Sequence, residues 1–367
     1  MAKKKINPAL TVFVCLLALV IGFAAGFLLY AYIKKPAGGD VYVSGDISFH
    51  FMELGNAYAG DSIYIKAGDT DILIDAGSRA SSTDTTSAYI DGYCTDGVLE
   101  YVIATHADQD HIAGFAGSNS SPSIFDRYEC GVIIDFPRTN KNTETYKKYI
   151  EKRDAEVAAG ADHYTALECW NAGESETGAR RVWEISDGIE MEILYNYYYE
   201  NDSSYENNYS VCLLFSQGDR HFLFTGDLEE EGEEYLVQYN DLPEVELFKA
   251  GHHGSKTSSN DCLLEVIKPK IVCVCCCAGT DEYTDAKENQ FPTQAMIDRV
   301  APYTDAVYVT SLGDDGAEGG FTSMNGNIVV TSGSGGVTVN CSDNNTLLKD
   351  TEWFANNREM PAAWAAA

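Results

Sequence analysis

Positive charge is scarce in this 367-residue chain: 25 Lys and Arg stand against 56 Asp and Glu, a formal net charge of −31. A surface so acidic repels polyanions, which excludes nonspecific nucleic-acid binding through a broad basic face and leaves only local, metal-assisted contact. No internal repeat of roughly 20–50 residues is present. The eleven cysteines lack the spacing of a disulfide framework. Cys15 falls in an apolar run, and Cys273, Cys275, Cys276 and Cys277 crowd one stretch, residues 271–278, that reads as a buried strand using cysteine as a small hydrophobe. The others are scattered, and no pairing follows from them. What the chain does hold is a 45% apolar fraction, enough for a substantial core.

One run carries no charge. Residues 9–33, 25 in number, exceed the roughly 20 needed to cross a bilayer. The small residues Ala24, Ala25 and Gly26 lie inside the run and not after it, which favours an uncleaved anchor over a signal peptide. Lys3, Lys4 and Lys5 precede it and Lys34 and Lys35 follow, so the chain's start is expected in the cytoplasm and the folded part outside. The expected organisation is a basic N-terminus (1–8), a transmembrane anchor (9–33), a linker (34–44), a folded domain (45–345) and a C-terminal tail (346–367).

Strands are predicted at 47–53, 62–66 and 71–75, the last two joined by the hairpin signal Ala67-Gly68-Asp69-Thr70. Others follow at 101–104 and 131–135, with an exposed helix over 142–159 and a loop over 173–181. The pattern then returns to strands at 189–195, 209–215, 220–227 and 245–250, and near 271, 306 and 327–340. Two sheet-forming halves, each with helices, imply an α/β layered sandwich.

The densest chemistry is Thr105-His106-Ala107-Asp108-Gln109-Asp110-His111, at the end of the apolar run Tyr101–Ala104. Side chains two apart on extended backbone point the same way, so His106 and Asp108 are candidates for one metal ion. Asp110 and His111 come round the turn towards a second. One loop cannot complete two coordination spheres, so further ligands must come from elsewhere. His252 and His253, flanked by glycines after a predicted strand, are suited to turn into a cleft. Asp227, ending Phe222-Leu-Phe-Thr-Gly, is a carboxylate in need of a partner, and a carboxylate can bridge two ions.

Asp75 at a strand end, Thr-His-x-Asp-x-Asp-His-Ile-x-Gly at 105–114, Glu206-Asn-Asn-Tyr-Ser-Val, Phe-Leu-Phe-Thr-Gly-Asp227 and His252-His-Gly-Ser-Lys-Thr-Ser resemble the metallo-β-lactamase fold. More narrowly, they are similar to the extracellular hydrolase domain of the ComEC family of DNA-uptake competence proteins. The resemblance implies a four-layer αββα sandwich over roughly residues 45–340 and two divalent metal ions, Zn or Mn. It implies that His106, Asp108 and Asp227 hold one ion, that Asp110, His111 and His252 share Asp227 to hold the other, and that Asp75 ties the loops. Asp108 stands where the broad family has histidine, and Asn207 or Asn208 replaces a later one. These substitutions make the first site rich in oxygen and shift its preference from zinc towards manganese. Asn207, Asn208 and His253 are further candidate contacts to metal or substrate.

A two-metal centre suits phosphodiester cleavage. In that reading Asp110 orients the water and takes its proton, and Lys256 offsets charge growing on a phosphoryl oxygen. The tyrosines at 195 and 197–199 either cover the edge of the sandwich or stack bases of single-stranded DNA. The function expected is a membrane-anchored, outward-facing phosphodiesterase or nuclease related to DNA uptake. Its rivals are a hydrolase of lactams, lactones or thioesters, and a metal-binding but inert module of a DNA-import or envelope complex.

Overall fold

The computed structural model describes residues 46–173 and 178–365. The apolar run at 9–33, its linker and Cys15 lie outside the described residues. Among the described residues no helix is long and apolar enough to cross a membrane.

The first half of the chain builds one sheet from β1 (Ile47–Phe51), β2 (Ile63–Ala67), β3 (Thr70–Ile74), β4 (Val98–Ile103), β5 (Glu129–Asp135) and β6 (Asp162–Thr165). The second half builds another from β7 (Val182–Ser186), β8 (Ile189–Ile193), β9 (Leu213–Gln217), β10 (Arg220–Phe224), β11 (Leu247–Lys249), β12 (Ile271–Ala278), β13 (Val307–Gly313) and β14 (Phe321–Ser323). The hairpin of β15 (Ile328–Gly333) and β16 (Gly336–Cys341) then returns to the first sheet and pairs antiparallel with β1, Phe49 opposite Val330. The orders are β16-β15-β1-β2-β3-β4-β5-β6 and β14-β13-β12-β11-β10-β9-β8-β7.

Both sheets are mixed, and the parallel part of each decides where chemistry collects. In the first, β3, β4 and β5 run parallel with Ile74 level with Ile103 and Ile134. In the second, β10, β11 and β12 do the same, with Leu223 level with Phe248 and Val272. Loops that leave the carboxyl ends of neighbouring parallel strands emerge side by side.

The sheets face each other through aromatic side chains. Phe49 of β1 meets Phe222, Phe224 and Phe215 at ring-centroid distances of 4.6, 5.5 and 5.6 Å. All four are buried, each contributing about 1.5–3 kcal/mol of transfer free energy. Outside the first sheet, Phe115 of the helix Gln109–Ala116 packs on Phe125 at 5.2 Å and on Tyr149 of the helix Glu144–Ala159 at 6.0 Å. Outside the second, the helices Glu230–Tyr239, Asp261–Ile267 and Gln294–Val300 bury Leu236, Leu264, Ile297 and Val300 against Val272, Val274 and Val309. Leu348, Phe354 and Trp364, beyond the last strand, join that core.

The cysteine-rich stretch is β12, buried from Val272 to Ala278. All ten cysteines among the described residues are free thiols. The strand predicted from 209 begins at Leu213, because Glu206–Tyr209 forms a 3-10 turn and Ser210 leaves the ladder to serve the site.

Candidate metal centre

Four loops meet at the strand ends. After β3, Asp75 takes a left-handed backbone (φ 58°); after β11, His252 (φ 46°) and His253 (φ 54°) do the same. Such conformations cost non-glycine residues free energy and collect at functional sites. Two glycines make the approach close enough. A Cβ at Gly114 would lie 2.1 Å from the Ala76 carbonyl oxygen, so the helix carrying His111 sits directly on the end of β3. At Gly226 (φ 55°) a Cβ would lie 2.7 Å from Ser210 Oγ, the hydroxyl that accepts from the Asp227 amide at 3.0 Å.

The result is a buried group of donors from distant parts of the chain. His111 donates from Nδ1 to Asp75 Oδ2 at 2.7 Å and aims Nε2 at Asp227 Oδ2, 3.0 Å away. His253 donates from Nδ1 to the Cys275 carbonyl at 3.0 Å and brings Nε2 to within 3.2 Å of Asp227 Oδ2 and 3.3 Å of Asp110 Oδ2. His106 is fully buried, with Nδ1 3.1 Å from Thr105 Oγ1 and its Nε2 without a hydrogen-bond partner; the nearest carboxylate is Asp108, at 3.6 Å. In all three rings, Nδ1 has a protein partner and Nε2 faces the acids. A carbonyl or carboxylate on one nitrogen fixes the tautomer that leaves the other free to bind a metal.

The donor set fits a divalent cation. Ligand atoms sharing one ion at bonds of about 2.0–2.1 Å lie roughly 3.0–3.4 Å apart in octahedral or tetrahedral geometry. His111 Nε2 to Asp227 Oδ2, His253 Nε2 to Asp227 Oδ2 and His253 Nε2 to Asp110 Oδ2, at 3.0, 3.2 and 3.3 Å, fall in that range, and the four ligand atoms all lie within 4.8 Å of one another. The orphaned Nε2 of His106, in a place sealed from water, is a second sign that a partner of another kind belongs there.

Electrostatics tie the group together. Burial opposes charge on His111 and His253, but Asp227 with Asp75, and Asp227 with Asp61, outweigh it and hold both imidazoles well above the ordinary histidine value. Burial likewise opposes charge on Asp227, yet His111, His253 and Lys249 hold it well below the usual carboxylate range. His106, buried beside His111, is pushed well down and stays neutral. Protons on His111 and His253 thus supply the positive charge that a cation would replace.

Asp108 occupies the N-cap of the helix Gln109–Ala116 without capping it. Its carboxylate turns instead to the Lys141 ammonium. Glu206 holds the loop bearing Lys141 in place, accepting from Thr139 Oγ1 and the Asn140 amide, both at 2.6 Å, and from the Ala107 amide at 3.3 Å.

The structure places three groups of sequence candidates differently from the ligand set that the resemblance implies. His253, and not His252, is the imidazole beside Asp110 and Asp227. Two successive left-handed residues turn the second ring inward, while His252 lines the cleft with Nδ1 3.0 Å from Thr257 Oγ1 and 3.4 Å from Asn207 Nδ2. Lys256 lies on the exposed surface with Nζ donating to Asn289 Oδ1 at 2.8 Å. The lysine among the carboxylates is Lys249, fully buried, paired with Asp61 and donating to Asp227 Oδ1 at 3.2 Å. Asn208 is framework, accepting from the Glu229 amide at 3.1 Å, and Asn207 donates to Glu229 Oε1 at 3.0 Å.

Asp61, Lys249 and Tyr283 were not singled out from the sequence. A lysine between Phe248 and Ala250 on a short, otherwise apolar strand, and an acid two residues before β2, are signals of a buried pair. Tyr283 has no such signal: it lies in the long loop after β12 and donates to Asp110 Oδ2 at 2.7 Å.

Two mixed sheets face to face, helices outside and imidazoles among carboxylates at the strand ends fit the αββα sandwich of the metallo-β-lactamases. A family model described as the metallo-β-lactamase superfamily matches residues 206–278, the stretch from Glu206 through the histidine pair to the end of β12. Recombination protein 2 of Haemophilus influenzae is 25% identical over 215 residues, 59% of this chain and 21% of the relative. Competence protein ComA of Neisseria gonorrhoeae is 25% identical over 248 residues, 67% of this chain and 28% of that protein. The match thus spans 21% to 28% of their lengths. Among solved structures, the metallo-β-lactamase fold protein YhfI of Bacillus subtilis is 9% identical, with 78% of this chain and 100% of that one covered at a TM-score of 0.41. The resemblance drawn from the motifs is therefore to the metallo-β-lactamase superfamily and, among curated proteins, to competence proteins.

Proposed function

We propose that this chain is a metal-dependent hydrolase of phosphodiesters that serves DNA uptake, anchored in the cell membrane by residues 9–33 with its folded domain outside. The observation that carries the reading is the convergence of His111 Nε2, His253 Nε2, Asp110 Oδ2 and Asp227 Oδ2, with the bare Nε2 of His106 alongside. Asp110, His111, Asp227 and His253 would hold one divalent ion, and His106 with Asp108 would hold a second. Oxygen-rich ligation favours manganese over zinc. When bound, such ions supply an acidified water and offset charge on phosphoryl oxygens.

The chain's own residues do the rest. Asp110 reaches the mouth of the cleft and would take the proton of the attacking water on the carboxylate oxygen that the ion leaves free. Asp75 and the Cys275 carbonyl hold the two imidazoles in one tautomer through the cycle. Phe291, with its ring 5.8 Å from His252 and 6.1 Å from His253, keeps bulk water from that wall. The acidic surface suits a substrate met locally, such as a single strand, better than a duplex gripped along its length. The competence proteins among the relatives support the link to DNA uptake.

The test is to purify the full chain, measure its metal content, and assay bis-p-nitrophenyl phosphate and single-stranded DNA beside Asp110→Asn. Metal-dependent turnover that falls by about two orders of magnitude or more in the variant is expected. Equal turnover in both contradicts the mechanism. Metal binding without any turnover favours an inert module, and turnover confined to lactones or thioesters favours carbonyl hydrolysis.

A further inference from the structure

The wall that carries Phe291 also presents a polar group at the mouth of the cleft. Between the end of β12 and the helix Gln294–Val300, the chain runs over the centre and presents Tyr283, 51% exposed, at the mouth. The phenol is not a stray surface group. Its ring packs on Phe291 at 5.2 Å, and Phe291 in turn packs on both His252 and His253. The preceding residue, Glu282, fastens the loop across the cleft by accepting from the Ala59 amide at 2.8 Å and from Arg79 Nη2 at 3.3 Å. Arg79 lies over the Tyr58 ring at 3.6 Å, so a guanidinium borders the same opening.

The hydroxyl of Tyr283 donates to Asp110 Oδ2, the same oxygen that stands 3.3 Å from His253 Nε2. A cation held by Asp110 and His253 would draw on that oxygen and weaken its hold on the phenol. The donor would then be available at the mouth to a group that enters. The buried carboxylates around it make an incoming anion costly, so a neutral donor backed by Arg79 is the form of help such an anion needs there.

We propose that Tyr283 is a substrate-contacting residue that hydrogen-bonds a phosphoryl oxygen, in the role the sequence suggested for Lys256. This rests on the phosphodiesterase reading.

Calorimetry on the full chain, using Mn²⁺ and inorganic phosphate as probes, tests it without turnover. In Tyr283→Phe, Mn²⁺ affinity should hold within about threefold and phosphate affinity of the Mn²⁺-loaded protein should fall by about tenfold, the scale of one hydrogen bond to a charged group. Unchanged phosphate affinity in the variant overturns the inference while leaving the phosphodiesterase reading intact. A wild-type chain that binds Mn²⁺ but no phosphate overturns the inference, and cleavage of a phosphodiester by that same preparation shows that the broader reading survives. Tyr283→Ala, which also removes the ring from Phe291, separates the hydroxyl from the wall: phosphate affinity lost in Ala but kept in Phe contradicts the proposal.

Discussion

His111 Nδ1 donates to Asp75 Oδ2 at 2.7 Å while its Nε2 stands 3.0 Å from Asp227. One ring thus joins the carboxyl ends of strands in two sheets, and the carboxylate behind it sets which nitrogen faces the cleft. Asp75→Asn should lower Mn²⁺ affinity by roughly 10–100-fold, the usual cost of losing such a partner. Equilibrium dialysis of both proteins measures it.

The two neighbouring histidines should behave differently. His253→Ala removes the ring that reaches both Asp110 and Asp227 and should weaken Mn²⁺ binding at least tenfold. His252→Ala removes a ring whose nearest partners are Thr257 and Asn207 and should cost clearly less. The same titration reads both.

Lys249 neutralises Asp61 and Asp227 from a fully buried position. Lys249→Met leaves those carboxylates short of one cation, and breaking such a pair costs about 3–5 kcal/mol. Urea unfolding of the metal-free proteins should show a loss of that size.

His50 gives the clearest pH signature away from the centre. It is buried between Ser48 Oγ (2.6 Å) and Tyr89 Oη (2.7 Å), and burial lowers its pKa to about 3. The folded state therefore resists protonation that the unfolded chain accepts near the ordinary value of about 6.5. The stability from keeping it neutral is fully present above that value and is lost as pH falls towards the folded pKa. His50→Gln should be less stable than wild type at pH 7, and the gap should narrow by about 2 kcal/mol by pH 5. Metal-free urea titrations at the two pH values check the sign.

Much of the fold was legible because its strands are short apolar runs with turn signals between them. Glu206–Tyr209 was not, since a turn that serves the site looks like the polar start of β9. The centre was legible where ligand types cluster in sequence, as in His106 to His111. It was obscure where a single residue acts from afar. Asp61 and Lys249 meet only because β2 and β11 belong to facing sheets, and Tyr283 reaches Asp110 across 173 positions. The order of His252 and His253 was beyond reach for another reason: which ring turns inward depends on two successive left-handed residues, a conformation that sequence rarely announces.

The central claim is that these imidazoles and carboxylates hold divalent metal through Asp227. A Mn²⁺ titration of the full chain beside Asp227→Asn, followed by the electron paramagnetic resonance of free Mn²⁺, tests it most directly. Saturable binding in the wild type and affinity at least tenfold weaker in the variant are predicted; superimposable isotherms would contradict the account.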